Sequence, residues 1–230
     1  PDGPGPVITE EQLAVILGRV TTALDAADKK NDATIAATRF NGAALEARVA
    51  NYAMRKTNSK IAALPSLRPS PVQLFLPQAT NLWPRSVLAM VQSVDPSLKD
   101  KQAPTVAVVL TQQTPRSNYK VEYTINLQAS QQIPEVAAAS SGTPLVALDT
   151  KLLTVSPKDL AAAYGDILNK GLKSKFYPMF NVTDDTLRTT IAAERKSQGG
   201  NADVSVTYSD LQGTGPVAFA AQNAGAIVAV

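Results

Sequence analysis

Near Leu64 the hydrophobic pattern of the chain changes period. That change constrains the fold more than any other feature. Upstream, apolar residues recur at helical spacing: Leu13, Ile16, Leu17, Val20 and Leu24 in one stretch, then Leu45, Val49 and Tyr52 in the next. LPSLRPSP (64–71) breaks that pattern. Beyond it the spacing becomes two. In YKVEYTINLQ (119–128), Tyr119, Val121, Tyr123, Ile125 and Leu127 alternate with Lys120, Glu122, Thr124, Asn126 and Gln128. A strand with one apolar and one polar face is half buried. Joined through TPRSN to TVAVVLTQQ (105–113), it predicts an antiparallel hairpin. Its apolar face packs most economically on the two N-terminal helices. VQLFL (72–76) and WPRSVLAMVQSV (83–94) are further strand candidates.

The same order then recurs. SPKDLAAAYGDILNKGL (156–172) reads as a helix with Ser156 at the N-cap and Pro157 in the first turn. TDDTLRTTIAAERK (183–196) reads as another, capped by Thr183 or Asp184. ADVSVTYSDL, GPVAFAAQ and AGAIVAV follow as strand candidates. A short echo accompanies this order. Phe40-Asn41 precedes Leu45 and Arg48-Val49, and Phe180-Asn181 precedes Leu187-Arg188 and Ile191. The expectation is an α+β chain of two lobes, each with helices on a curved antiparallel sheet. Residues 1–7 (PDGPGPV) form a linker, 8–140 the first lobe and 150–230 the second. The Ala/Ser/Gly/Pro run within 129–155 marks the boundary. The chain stops inside the apolar run AGAIVAV, which predicts a truncated second lobe or one completed by a partner.

Composition narrows the chemistry. The 230 residues include no cysteine and no histidine. Disulfides, thiolate nucleophiles and thiolate metal sites are excluded. So are Ser-His-Asp triads and histidine-ligated zinc. Carboxylate chemistry, a lysine nucleophile, a tyrosine acid or an all-oxygen metal site survive. The net charge is +3, but the cations are scattered, and no basic patch interleaved with aromatics suggests nucleic acid. The densest basic run, Lys170 to Lys175, suits a helix end.

The acids read as local structure. Asp184-Asp185 caps a helix; Asp25, Asp28 and Asp32 lack the spacing and glycine of a calcium loop. Asp203 and Asp210 flank a strand as turn residues. No metal site and no cofactor is expected, and neither glycine-rich phosphate loop occurs. Asn181–Thr183 fits a glycosylation sequon, though Thr183 is explained as a cap. The single tryptophan, Trp83, precedes Pro84-Arg85 at the start of a strand. Such a ring either covers the edge of the core or offers a platform for a ligand. Trp83, Tyr119 and Tyr123 are the candidate ligand-binding residues, at the rim of a pocket in the first sheet. Tyr52, Tyr164 and Tyr177 add to such a pocket if they converge on it.

AATRFNGAALEARVANYAM (36–54), VAVVLTQQTPRSNYKVEY (106–123) and LLTVSPKDLAAAYGDIL (152–168) give the chain a resemblance to exported, often lipid-anchored actinobacterial proteins of unknown function. The resemblance implies a precursor with a signal peptide and lipobox cysteine upstream, and a membrane association only through that anchor. The helix-then-sheet order is similar to NTF2-like or cystatin-like folds, which host both enzymes and binding modules. The expected function is a non-enzymatic, extracytoplasmic cell-envelope module for a protein or cell-wall ligand. The alternatives are an enzyme using carboxylates or tyrosines in a conical pocket, and a structural spacer.

Overall fold

In the computed structural model, the described residues are 7–77, 82–94, 104–127, 133–136, 142–181, 183, 185–198, 206–210, 213–222 and 224–230. The chain is α+β and divides into two compact units. The first unit comprises 1–146 with 217–229; the second comprises 147–216 with Val230.

In the first unit, α1 (Glu10–Lys30) starts with a capping box. Gln12 N–H donates to Thr9 Oγ1 at 3.2 Å, and Thr9 N–H donates to Gln12 Oε1 at 3.0 Å. It ends on Asn31 in the left-handed conformation, φ 49°. The short α2 (Ala33–Ala36), capped by Asp32, leads to α3 (Gly42–Thr57). Four antiparallel strands follow in sequential order: β1 (Ser66–Phe75), β2 (Arg85–Val94), β3 (Thr105–Gln112) and β4 (Lys120–Asn126). This helix-on-sheet arrangement is consistent with NTF2-like and cystatin-like folds.

LPSLRPSP breaks the helical period, yet most of it lies in β1. β1 is an edge strand, so Pro69 and Pro71 withhold no hydrogen bond that an interior strand would require. The pairing with β2 is irregular around them, between Leu67 and Gln73.

One face of the sheet meets α1. Leu13, Leu17, Val20 and Leu24 pack with Val87, Val108, Leu110 and Val121, all almost fully buried. The opposite face carries Phe75, Leu88, Met90, Val109 and Tyr123. It is covered in part by a C-terminal hairpin of β5 (Val217–Ala220) and β6 (Ala226–Ala229). Val146 N–H donates to Ala218 O at 2.9 Å, and Ala220 N–H to Pro144 O at 2.8 Å, so residues 144–146 run alongside β5.

The organisation therefore differs from two successive helix–sheet lobes. The terminal strands of AGAIVAV and GPVAFAAQ close the first unit's core through the fully buried Phe219. The run ADVSVTYSDL (202–211) shows no strand in its described part, 206–210; its other residues lie outside the described set.

The second unit is helical among its described residues. α4 (Leu160–Lys170) and α5 (Thr186–Gln198) flank two single turns of 3-10 helix, Gly171–Lys173 and Tyr177–Met179. Ser156 does not cap α4; its Oγ donates instead to Thr150 O at 2.8 Å. The cap of α5 is Asp185, whose Oδ1 accepts from Arg188 N–H at 3.0 Å. Thr183 is instead held in a local turn, its N–H donating to Asn181 Oδ1 at 3.0 Å. Asp184 lies outside the described residues.

Candidate functional site: an arginine-lined cleft

Three arginines from three elements converge on one open cleft of the first unit, about 540 Å³ in volume. Arg19 comes from α1, Arg39 from the link between α2 and α3, and Arg85 from the start of β2. Tyr119 lines the same cleft, 8% exposed. Its phenol is shifted above the usual range by burial, partly opposed by the Arg85 charge. Among the described lining residues the only carboxylate is Glu11, whose pKa is lowered by backbone N–H at the start of α1 and by Thr9. Three fixed cations face one anion, so the cleft favours a negatively charged ligand.

Trp83 borders this cleft rather than lining it. Its Nε1–H donates to Gln112 Oε1 at 3.3 Å, and Gln112 Nε2 donates to Ser117 O at 2.9 Å. The chain of bonds ties the β3–β4 turn to the start of β2. The Arg85 guanidinium stacks 3.7 Å from the centre of the indole. One indole face is therefore occupied by protein, and Trp83 serves to orient Arg85.

Residues 4–230 match the Domain of unknown function (DUF8094). The chain belongs to the DUF8094 family. No curated protein and no solved structure matches it.

In this DUF8094 chain the three candidate rings do not meet. Trp83 and Tyr119 lie at the cleft, whereas Tyr123 is buried on the opposite sheet face with Phe75 and Val109. A β-bulge separates them. Val121 pairs with Leu110 and Tyr123 with Val109, so Glu122 is the extra residue and the alternation changes face there. Period-two spacing puts Tyr119 to Leu127 on one face; the bulge divides them into Tyr119 and Val121 on one side, Tyr123 and Leu127 on the other.

Glu122, 9% exposed, is held at the bulge. Its Oε2 accepts from Thr111 Oγ1 at 2.9 Å, and its Oε1 from Gln113 Nε2 at 3.2 Å; Thr111 Oγ1 also lies 3.0 Å from Ser86 Oγ. Both carboxylate oxygens are occupied by the strands themselves. Among the described residues no group of three or more Asp or Glu is placed to hold a metal ion. The remaining tyrosines do not join the cleft either. Tyr52 donates to Asp28, Tyr164 donates to Asp185, and Tyr177 lies under Arg188.

Spacing carries no signal for the convergence of Arg19, Arg39 and Arg85. They are scattered in sequence, and only the packing of α1 across the sheet gathers them.

Proposed function

We propose that this DUF8094 domain is a non-enzymatic binding module of the cell envelope, holding an anionic protein or cell-wall ligand in its arginine-lined cleft. The observation that carries this reading is the convergence of Arg19, Arg39 and Arg85 on one open cleft with a single carboxylate among its described lining residues. Guanidinium groups pair with carboxylate or phosphate oxygens through two parallel N–H donors, which suits them to acidic polymers. Extracytoplasmic placement rests on the resemblance of 36–54, 106–123 and 152–168 to exported lipid-anchored proteins. No helix among the described residues is long and apolar enough to cross a membrane.

The test uses Trp83 as the reporter, because it is the sole tryptophan and carries Arg85 on its face. Titration with poly-L-glutamate shifts its fluorescence, poly-L-lysine does not, and added salt weakens the response. Arg85→Gln and Arg19→Gln each weaken it. Equal responses to both polymers, or retention in the Arg85→Gln and Arg19→Gln variants, would overturn the reading.

A further inference from the structure

The second unit contains an unusual arginine. Arg188 on α5 has an 11% exposed side chain. Its guanidinium stacks 4.5 Å from the centre of the Tyr177 ring, and its Nε lies 3.7 Å from Asp185 Oδ2. Its two terminal nitrogens, Nη1 and Nη2, are buried and have no hydrogen-bond partner among the described residues. Four of five guanidinium donors are thus unsatisfied, a condition that folded proteins avoid unless a ligand or solvent supplies the acceptor.

Arg48 in the first unit shows what a satisfied counterpart looks like. It shares the local pattern of an arginine beside an aspartate that also accepts from a tyrosine. Arg48 Nη1 donates to both oxygens of Asp28, at 2.9 and 3.1 Å, and Nη2 donates to Pro65 O at 2.8 Å. Among the described residues no carbonyl plays the part of Pro65 for Arg188. Asp185 does not fill the gap, because its oxygens accept from Tyr164 and from Arg188 N–H.

Arg188 lines a cavity of about 440 Å³, within the range of small-ligand sites. Arg195, two turns further along α5, lines it too and is held by Leu168 O. Ile167, Leu168, Leu172, Ile191 and Ala192 form an apolar part of the wall, and Tyr177, Thr189 and the Asp185 carboxylate line it beside Arg188. Leu172 is 81% exposed and sits on the single turn Gly171–Lys173, beside Gly171 at φ 57°.

We propose that this cavity binds a small organic carboxylate with an apolar body. The carboxylate takes the two Nη groups of Arg188 in the forked geometry that a guanidinium presents, with Arg195 adding positive charge. The apolar body lies along Ile167, Leu168 and Ile191. The Nη atoms are buried, so binding brings them onto the cavity by a shift of the side chains packed around Arg188. The site is separate from the cleft of the first unit and stands or falls independently of it.

The experiment is calorimetric titration of the full chain with hexanoate, hexanol and inorganic phosphate. Hexanoate binds saturably and raises the melting temperature; hexanol and phosphate bind at least about tenfold more weakly, a difference of about 1.4 kcal/mol. Arg188→Gln reduces hexanoate affinity by a similar factor. Ala192→Trp, at an exposed position of α5, fills the cavity and abolishes binding while the fold persists; it decides the matter if Arg188→Gln does not fold. Absence of saturable hexanoate binding overturns the proposal. So does hexanol or phosphate binding as tightly as hexanoate, or hexanoate binding retained in either folded variant.

Discussion

Tyr164 donates its hydroxyl hydrogen to Asp185, with the two carboxylate oxygens at 2.8 and 2.9 Å. Tyr52 does the same to Asp28 at 2.5 Å in the other unit. In both, burial raises the phenol pKa above its ordinary value, and the accepting carboxylate raises it further. A tyrosine whose folded pKa exceeds its unfolded value, near 10, contributes stability that is full below pH 10 and is lost as pH rises above it. The wild-type chain therefore loses stability steeply above pH 10, as the unfolded state releases protons that the folded state retains. Denaturant melts from pH 8 to 11 show a shallower loss for Tyr52→Phe and Tyr164→Phe. An unchanged slope in both variants contradicts the role given to these phenols.

The Asp28–Arg48 pair joins α1 to α3, with side chains only 6% (Arg48) and 18% (Asp28) exposed. Removing one member leaves the other charge buried without its partner. Arg48→Met lowers stability by about 3–5 kcal/mol. Urea denaturation of the variant measures it. Replacing both residues with apolar ones of similar size costs less than Arg48→Met alone.

Tyr123 faces away from the arginine-lined cleft. Tyr123→Ala lowers stability by about 3 kcal/mol through the space it leaves beside Phe75 and Val109. Binding of poly-L-glutamate by the folded variant is unchanged. Trp83→Leu has the opposite profile: little effect on melting, and weaker binding because Arg85 loses its aromatic stacking surface. Binding in this variant is followed by calorimetry, since the reporter is gone.

The C-terminal hairpin belongs to the first unit's core. Ending the chain at Pro216 uncovers Phe75, Met90 and Val109 and removes Phe219, whose burial alone contributes about 2 kcal/mol. The truncated chain binds a hydrophobic dye and its first unit melts at lower temperature. A truncated chain with the parent melting profile contradicts this placement.

The helices of the first unit are legible in sequence because their signals are local. Thr9, Glu10 and Glu11 mark the start of α1, and Leu13, Leu17, Val20 and Leu24 mark its buried stripe. The strands β2 and β3 are legible for the same reason. β1 is less so, because its prolines are compatible with a strand only at a sheet edge, and edge position is not written in local spacing. Trp83 and Tyr119 stand out by residue type and do lie at the cleft. Tyr123 is misplaced by spacing alone, because a single extra residue at Glu122 reverses the face of everything after it.

By itself the sequence determined the α+β class, the absence of thiol and imidazole chemistry, and the change from helices to strands near Leu64. These follow from residue identity and short-range periodicity. Only the tertiary structure decided that the last strands close the first core, that Arg19, Arg39 and Arg85 share one cleft, and that Arg188 is buried with unsatisfied donors. Each of these depends on contacts between residues far apart in the chain. Such contacts are set by which apolar faces bury one another, and no local pattern encodes that choice.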